Sequence, residues 1–394
     1  MVVWFRLLSG YGDIWAKVYQ PGAGWQPEGT IESLDGDARY PVVAVSGSTF
    51  FMAWEHLLPG SVSVIYVSRY IPGSGWDGPL KISTGTTGAS MPAVAVDGRG
   101  NALVAWTQLN ASNFYEVQAS RFNAASGYWD VPTLLGASPA LDNYNPRVAM
   151  DPSGNGVVAW NRTPDITNGP GAICAVSYKA GTGWQIPASI PSLQAGVEGA
   201  DDAYGCSLAM SSAGAVLGWA ESVSATGYRP FARIWKPSSG TWSAAATITN
   251  ATLEGSSPEV AIDGQGKAYA AWVQNSGGAW NDLCVSSTST TGAWTAVAQP
   301  LDNLSGGIAY LALNVNPSGF GVVTWQQISG PVASIFASNL SPTGEWGASR
   351  LLETDDTGPA YAPAVHVSTG GSAMATWYQK DANGIRHIYA NSWN

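Results

Sequence analysis

The chain has 394 residues, a formal net charge of −10 and only 11% charged residues, beside 47 Gly, 24 Pro, 19 Trp and 16 Tyr. An acidic balance with singly scattered Lys and Arg argues against a nucleic-acid partner, which needs clustered basic charge. No apolar run is long enough to span a membrane, and three cysteines without a C-x-x-C pair argue against a disulfide framework or a thiolate zinc site.

Read from its N-terminus, the chain opens on the extended run Met1-Val2-Val3-Trp4. The same setting of an indole recurs at Trp54, Trp106, Trp160, Trp219, Trp272, Trp325 and Trp377, 50 to 59 residues apart. A second Trp follows each of the first seven by 21 to 24 residues, from Trp25 to Trp346. Recurrence at a fixed period marks a repeat architecture. Each unit predicts four short strands. Strand A is Pro-led, as from Pro92 to Asp97, and ends in a Gly turn such as Asp97-Gly98-Arg99-Gly100. Strand B, Ala102 to Gln108, carries the first Trp; strand C runs from Val117 to Phe122; strand D follows the second Trp. Helical periodicity is absent. Four antiparallel strands per unit make the blade of a β-propeller, with the indoles filling the wedge between neighbouring blades.

Strand A occurs at Pro41, Pro92, Pro146, Cys206, Pro258, Leu311 and Pro363, and the chain stops at the end of a C strand near Tyr389. This count predicts an all-β, seven-bladed β-propeller forming a single domain over 1–394. The strand near Trp25 would pair with the last strand near Tyr389, leaving residues 1–20 as a surplus B–C hairpin. The alternative is an eight-bladed propeller whose first blade lacks strand A. The start in mid-blade and the Ser, Thr, Gly and Asn of the surface lead us to expect an extracellular or cell-surface protein with its true start and secretion signal upstream.

The unit P-x-V-A-x-D-x-x-G-x-x-x-x-A-W-x-Q, followed by V-x-A-S-R-F and G-x-W, resembles the repeat of sialidase-like (Asp-box) propellers along essentially the whole chain. The turns that would carry the Asp-box read Pro72-Gly73-Ser74-Gly75-Trp76, Ala180-Gly181-Thr182-Gly183-Trp184 and Pro342-Thr343-Gly344-Glu345-Trp346, keeping Gly and Trp without the Asp. The resemblance implies a propeller. It also implies, for a sialidase, three arginines, a Tyr nucleophile with a Glu partner and an acid Asp. Phe5-Arg6-Leu7-Leu8 matches two residues of the family's F-R-I-P, and no catalytic residue carries over.

Other catalytic patterns are missing too. Asp201-Asp202 and Asp355-Asp356 are adjacent loop acids, and adjacency does not set the separation that paired carboxylates need. His56, His366 and His387 stand in separate units without metal-ligand spacing. Gly73-Ser74-Gly75 is a hairpin turn and not a nucleophile elbow. Asp97, Asp151 and Asp263 read as Asx turns. No cofactor is expected.

Departures from the repeat are the better candidates for function. Two residues after each first Trp stands a polar residue, usually Gln, replaced by Arg162 and Glu221 in consecutive units. Tyr144, Tyr204 and Tyr361 precede strand A by two residues, where an aromatic beside amides and carboxylates suits a sugar. Arg147, Ser207, Glu259, Asn314 and His366 interrupt the small-residue face of strand A, and either line a wet channel or pair across blades. Tyr144, Arg147, Arg162, Tyr204, Glu221 and Glu259 therefore form the expected ligand site, on the face carrying the B–C and D–A loops. The function expected is a non-catalytic propeller binding glycans or a surface protein. The alternatives are a structural module of a larger surface protein and a sialidase-type hydrolase.

Overall fold

The computed structural model describes the chain except residues 9, 21, 61, 137–140, 164–170, 188–192, 194–202, 224–226, 250–252, 257, 277–278, 290–291, 296–298, 303–305, 331, 355–357 and 394. Among the described residues every regular element is a strand, and no helix is long and apolar enough to cross a membrane. The strands form eight antiparallel blades of the β-propeller class. They fall in two compact units, Met1–Ser192 and Leu193–Asn394, with four blades each.

Blade 3 shows the plan. Strand A (Ala89–Val96), strand B (Ala102–Leu109) and strand C (Tyr115–Asn123) pair in sequence order, and two short pieces, Tyr128–Trp129 and Thr133–Gly136, complete strand D. The A–B turn is held by its aspartate: Asp97 Oδ1 accepts the backbone N–H groups of Arg99 (2.7 Å) and Asn101 (2.9 Å). Asp151 and Asp263 do the same in blades 4 and 6, so these turns are Asx turns, as expected.

The blade count is eight, the alternative of the two expected. Blade 1 holds Val2–Leu8, Tyr11–Lys17 and Gly29–Thr30, and blade 8 holds Ala360–Val367, Ala373–Lys380 and Arg386–Trp393. The seven-bladed closure had Trp25 beside Tyr389. Instead Trp25 pairs with Tyr19, and Thr30 pairs with Trp15. The physical reason is local. Gly22 and Gly24 take positive φ in a tight turn, and a loop this short costs little entropy to close. The hairpin of residues 1–20 thus finds its outer strand in the next few residues of its own repeat.

The first Trp row is packing, as the sequence predicts. Trp54, Trp106, Trp160, Trp219, Trp272 and Trp325 are all fully buried. In the first unit, Ala105, Val117 and Leu135 of blade 3 cluster with Val158 and Trp160 of blade 4. In the second, Val216, Ala232 and Ile248 of blade 5 cluster with Ala270 and Trp272 of blade 6. The approach is close: a Cβ at Gly136 would lie 2.7 Å from Trp160 Cζ2, and one at Gly255 would lie 2.9 Å from Trp272 Cδ1. The second Trp row is half-buried from Trp76 to Trp346, with Trp25 exposed, and Trp76 meets Tyr70 of strand C edge-on at 5.4 Å. Cys174, Cys206 and Cys284 are buried.

One further feature repeats. In six strands A the pairing with strand B shifts by one residue, between Arg39/Val42, Ser90/Ala93, Tyr144/Arg147, Tyr204/Ser207, Ala309/Ala312 and Tyr361/Ala364. Each shift is a β-bulge, which inserts one residue and re-aims the side chains around it. The inserted position has positive φ every time: Tyr40 (52°), Met91 (53°), Asn145 (55°), Gly205 (65°), Tyr310 (49°) and Ala362 (50°). Four of the residues that follow are Pro41, Pro92, Pro146 and Pro363, and proline without an N–H suits a bulge.

Candidate functional site

The polar residue two places after each buried Trp has a structural duty. Gln108 Oε1 accepts the Trp106 indole N–H at 3.3 Å, and its amide donates to the Thr87 carbonyl at 2.8 Å. Gln327 repeats this for Trp325 (3.0 Å) and donates to Asp302 Oδ2 (3.0 Å). Gln379 does so for Trp377 (3.3 Å) and the Gly358 carbonyl (3.1 Å). One side chain thus satisfies a buried donor and ties down the D–A loop, which neither an apolar residue nor a lone acceptor could do.

Two of the expected site residues belong to this system. Glu221 is fully buried, and its Oε2 accepts the Trp219 indole N–H at 2.9 Å. Its charge opposes the effect of burial, which lowers the Arg233 guanidinium from its ordinary range. Arg162 has no acceptor for an indole, so Asn143 takes over. Asn143 Oδ1 accepts Trp160 Nε1 at 2.8 Å and Arg162 Nε at 2.9 Å. Arg147 is exposed and donates to Asn145 Oδ1 at 2.8 Å. Tyr144 lies half-buried on the bulge of blade 4. Tyr144, Arg147 and Arg162 belong to the first unit, and Tyr204, Glu221 and Glu259 to the second. Asp201-Asp202 and Asp355-Asp356 lie outside the described residues.

Within the second unit, Tyr204 and Glu259 do come together. They line a recess of about 360 Å³ with Ser256, Ile308 and Tyr310. Three successive blades build it: Tyr204 stands at the bulge of blade 5, Glu259 at the start of strand A in blade 6 (Glu259–Ile262), and Tyr310 at the bulge of blade 7. Tyr204 meets Tyr228 edge-on at 4.8 Å, which fixes its ring. Glu259 Oε2 accepts the Ser207 hydroxyl at 2.9 Å, and Ser207 Oγ accepts the Val260 N–H at 3.2 Å. The interruptions of strand A here pair across neighbouring blades, as they do where Asn314 Oδ1 accepts the Val367 N–H at 2.9 Å. Ser256 Oγ accepts the Val273 N–H at 3.0 Å and so holds a hydroxyl at the rim.

Tyr310 escaped sequence reasoning. Two residues before strand A, where blades 4, 5 and 8 carry Tyr, blade 7 has Ala309, and its tyrosine stands one residue later, on the bulge. The recess offers two tyrosine rings, a carboxylate and a hydroxyl over an apolar floor, a surface that can lie against a ring with one apolar face and accept hydrogen bonds from its rim. Among the described residues no group of His, Cys, Asp and Glu is arranged to hold a metal ion.

No protein-family model matches the chain, and no curated protein matches it in sequence. Solved structures do match in fold. An ulvan lyase bound to -[GlcA(1-4)Rha3S]- superposes with a TM-score of 0.55 at 9% identity, over 89% of this chain and 93% of the lyase. The BP39L lectin from Burkholderia pseudomallei gives 0.54 at 15% identity, over 89% and 97%. The microbial sialidase Hz136 gives 0.47 at 14% identity, over 90% and 65%, too weak a likeness to bear on anything further. At such identities the first two likenesses are of fold alone, and they place the chain among the β-propellers.

Proposed function

We propose that this chain is a glycan-binding propeller that holds sugar in the recess of its second unit without turning it over. The observation that carries the reading is the convergence of Tyr204, Tyr310 and Glu259 from three blades on one recess. Aromatic faces bury the C–H face of a pyranose, and a carboxylate accepts its hydroxyls. Among the described residues Glu259 is the one carboxylate of that lining, whereas glycoside hydrolysis uses two acids about 5–10 Å apart. The fold neighbours are a lectin and a polysaccharide lyase, which agrees with a sugar ligand. Kinship with the sialidase-like repeat family belongs to the same proposal and rests on the repeat unit itself. So does an extracellular or cell-surface setting, supported by the polar, Lys-poor composition.

The test pairs binding with turnover. The chain is applied to a glycan array and, separately, to fluorogenic glycosides. Retained glycans, lost in Tyr204→Ala and in Glu259→Ala, with no fluorescence released, are the expected outcome. Fluorescence release abolished by Glu259→Gln would make this a hydrolase and overturn the non-catalytic half. Absence of any retained glycan would favour a structural module of a larger surface protein.

A further inference from the structure

Six strands A share the bulge, so the fold itself can be asked what it requires there. Blade 5 uses Gly205, blade 8 Ala362 and blade 4 Asn145. Glycine adopts positive φ without penalty, and asparagine tolerates it better than most residues. A tyrosine has neither advantage, because its Cβ crowds the backbone in this region. Burial could offset that cost, but Tyr310 is 62% exposed. Folding therefore gains little from the ring, and the blade pays for holding it over the recess. Tyr40 and Met91 hold the same exposed, positive-φ setting, so the strain alone marks no site; what sets Tyr310 apart is its place in one recess lining with Tyr204 and Glu259.

Resting on the glycan reading above, we infer that Tyr310 is the specificity-determining residue of the recess, and that the sugars it selects are uncharged pyranoses. Tyr310 stands on its bulge in the lining of the recess that Tyr204 borders from blade 5. Glu259 stands in the same lining, and among its described residues there is no Lys or Arg. An anionic sugar would bring its carboxylate or sulfate to Glu259 with no cation to receive it, and like charges in a partly desolvated recess repel. A neutral ring lays its apolar face on tyrosine and donates hydroxyls to the carboxylate. Tyr40 in the first unit supplies an internal control. It has the same register, the same sign of φ and 61% exposure, and it lies outside the recess.

The experiment uses the full chain and the variants Tyr310→Gly, Tyr310→Phe and Tyr40→Gly. Binding is measured by calorimetry with cellotetraose, mannotetraose and maltotetraose as neutral probes, and with sialyllactose and a heparin tetrasaccharide as anionic ones. Melting temperature is read on every variant. The expected result has three parts. At least one neutral probe binds and neither anionic probe does; Tyr310→Gly weakens binding at least tenfold, whereas Tyr310→Phe and Tyr40→Gly stay within threefold. Both Gly variants keep or raise Tm, by about 1–3 °C. A fall of several degrees in Tyr310→Gly makes the ring structural and overturns the inference. Unchanged binding in Tyr310→Gly overturns it as well, while leaving the glycan reading in place. Binding of the anionic probes alone overturns the sugar class but not the glycan reading. Binding of no probe sinks both.

Discussion

Blade 3 and blade 5 solve one problem with different chemistry. Each buries an indole completely, and each must satisfy its N–H. In blade 3, Gln108 accepts from Trp106 and donates to the loop carbonyl of Thr87. In blade 5, Glu221 accepts from Trp219 through a carboxyl oxygen, where the Gln of blade 3 has an N–H to donate as well. The comparison teaches that a residue breaking the repeat is not thereby a ligand contact. Glu221 departs from the consensus and still performs the consensus duty, at the cost of a carboxylate placed out of water. Position in the repeat is the better guide to role than residue type.

Breaking the shared part of the comparison gives the largest effect. Trp106→Ala removes a fully buried indole between blades and should cost about 3–5 kcal/mol, read by chemical denaturation. An unchanged midpoint would show that the Trp row is not core. Next comes the acceptor. Glu221→Ala leaves the Trp219 N–H buried without its bond and should cost about 2–3 kcal/mol. Glu221→Gln restores the arrangement of blade 3 and should recover most of that loss; equal losses in the two variants would mean that the charge itself is required.

Blade 2 sharpens the comparison at smaller amplitude. Its position holds His56, whose Nε2 meets the Asp35 carbonyl at 3.1 Å. Neither the Trp54 indole N–H nor His56 Nδ1 has a partner among the described residues. His56→Gln should supply the missing acceptor and stabilise by about 1 kcal/mol, seen as a rise in Tm. Beside it, burial raises the Glu55 carboxyl above its ordinary range, although the Ser63 hydroxyl bonds it at 2.9 Å. An acid raised in the folded state favours folding below its unfolded pKa, and that contribution is lost as pH rises through the folded value. Glu55→Gln should therefore flatten the fall in stability between mildly acidic and neutral pH. A steeper fall in the variant would reverse the sign argued here.

Much of this was legible in the sequence, and the reasons differ by residue. The Trp spacing and the strand order are local patterns repeated seven or eight times, and the Asx turn recurs at Asp97, Asp151 and Asp263, so each copy corroborates the others. The blade count was harder, because Trp25 had two partners consistent with the pattern, and only closure cost decides for Tyr19. The duty of Glu221 and Arg162 was hidden, since the acceptor can shift to Asn143, 17 residues before Trp160. Of the six expected site residues, Tyr204 and Glu259 share the recess because both stand at the entry to strand A. Tyr310 was illegible for a different reason: a bulge changes which residue faces outward without changing the alternation that marks the strand.

The three cysteines give the molecule a built-in clock. Burial pushes the Cys284 thiol up to about 12, with Asp282 and Asp302 adding to the rise. Since the thiolate is the reactive form, such a sulfur stays inert to alkylating reagents while its strand is closed. Cys174, Cys206 and Cys284 sit in blades 4, 5 and 6, one to each. The rate at which each is alkylated is therefore a measure of how often that one blade opens, with no label to introduce.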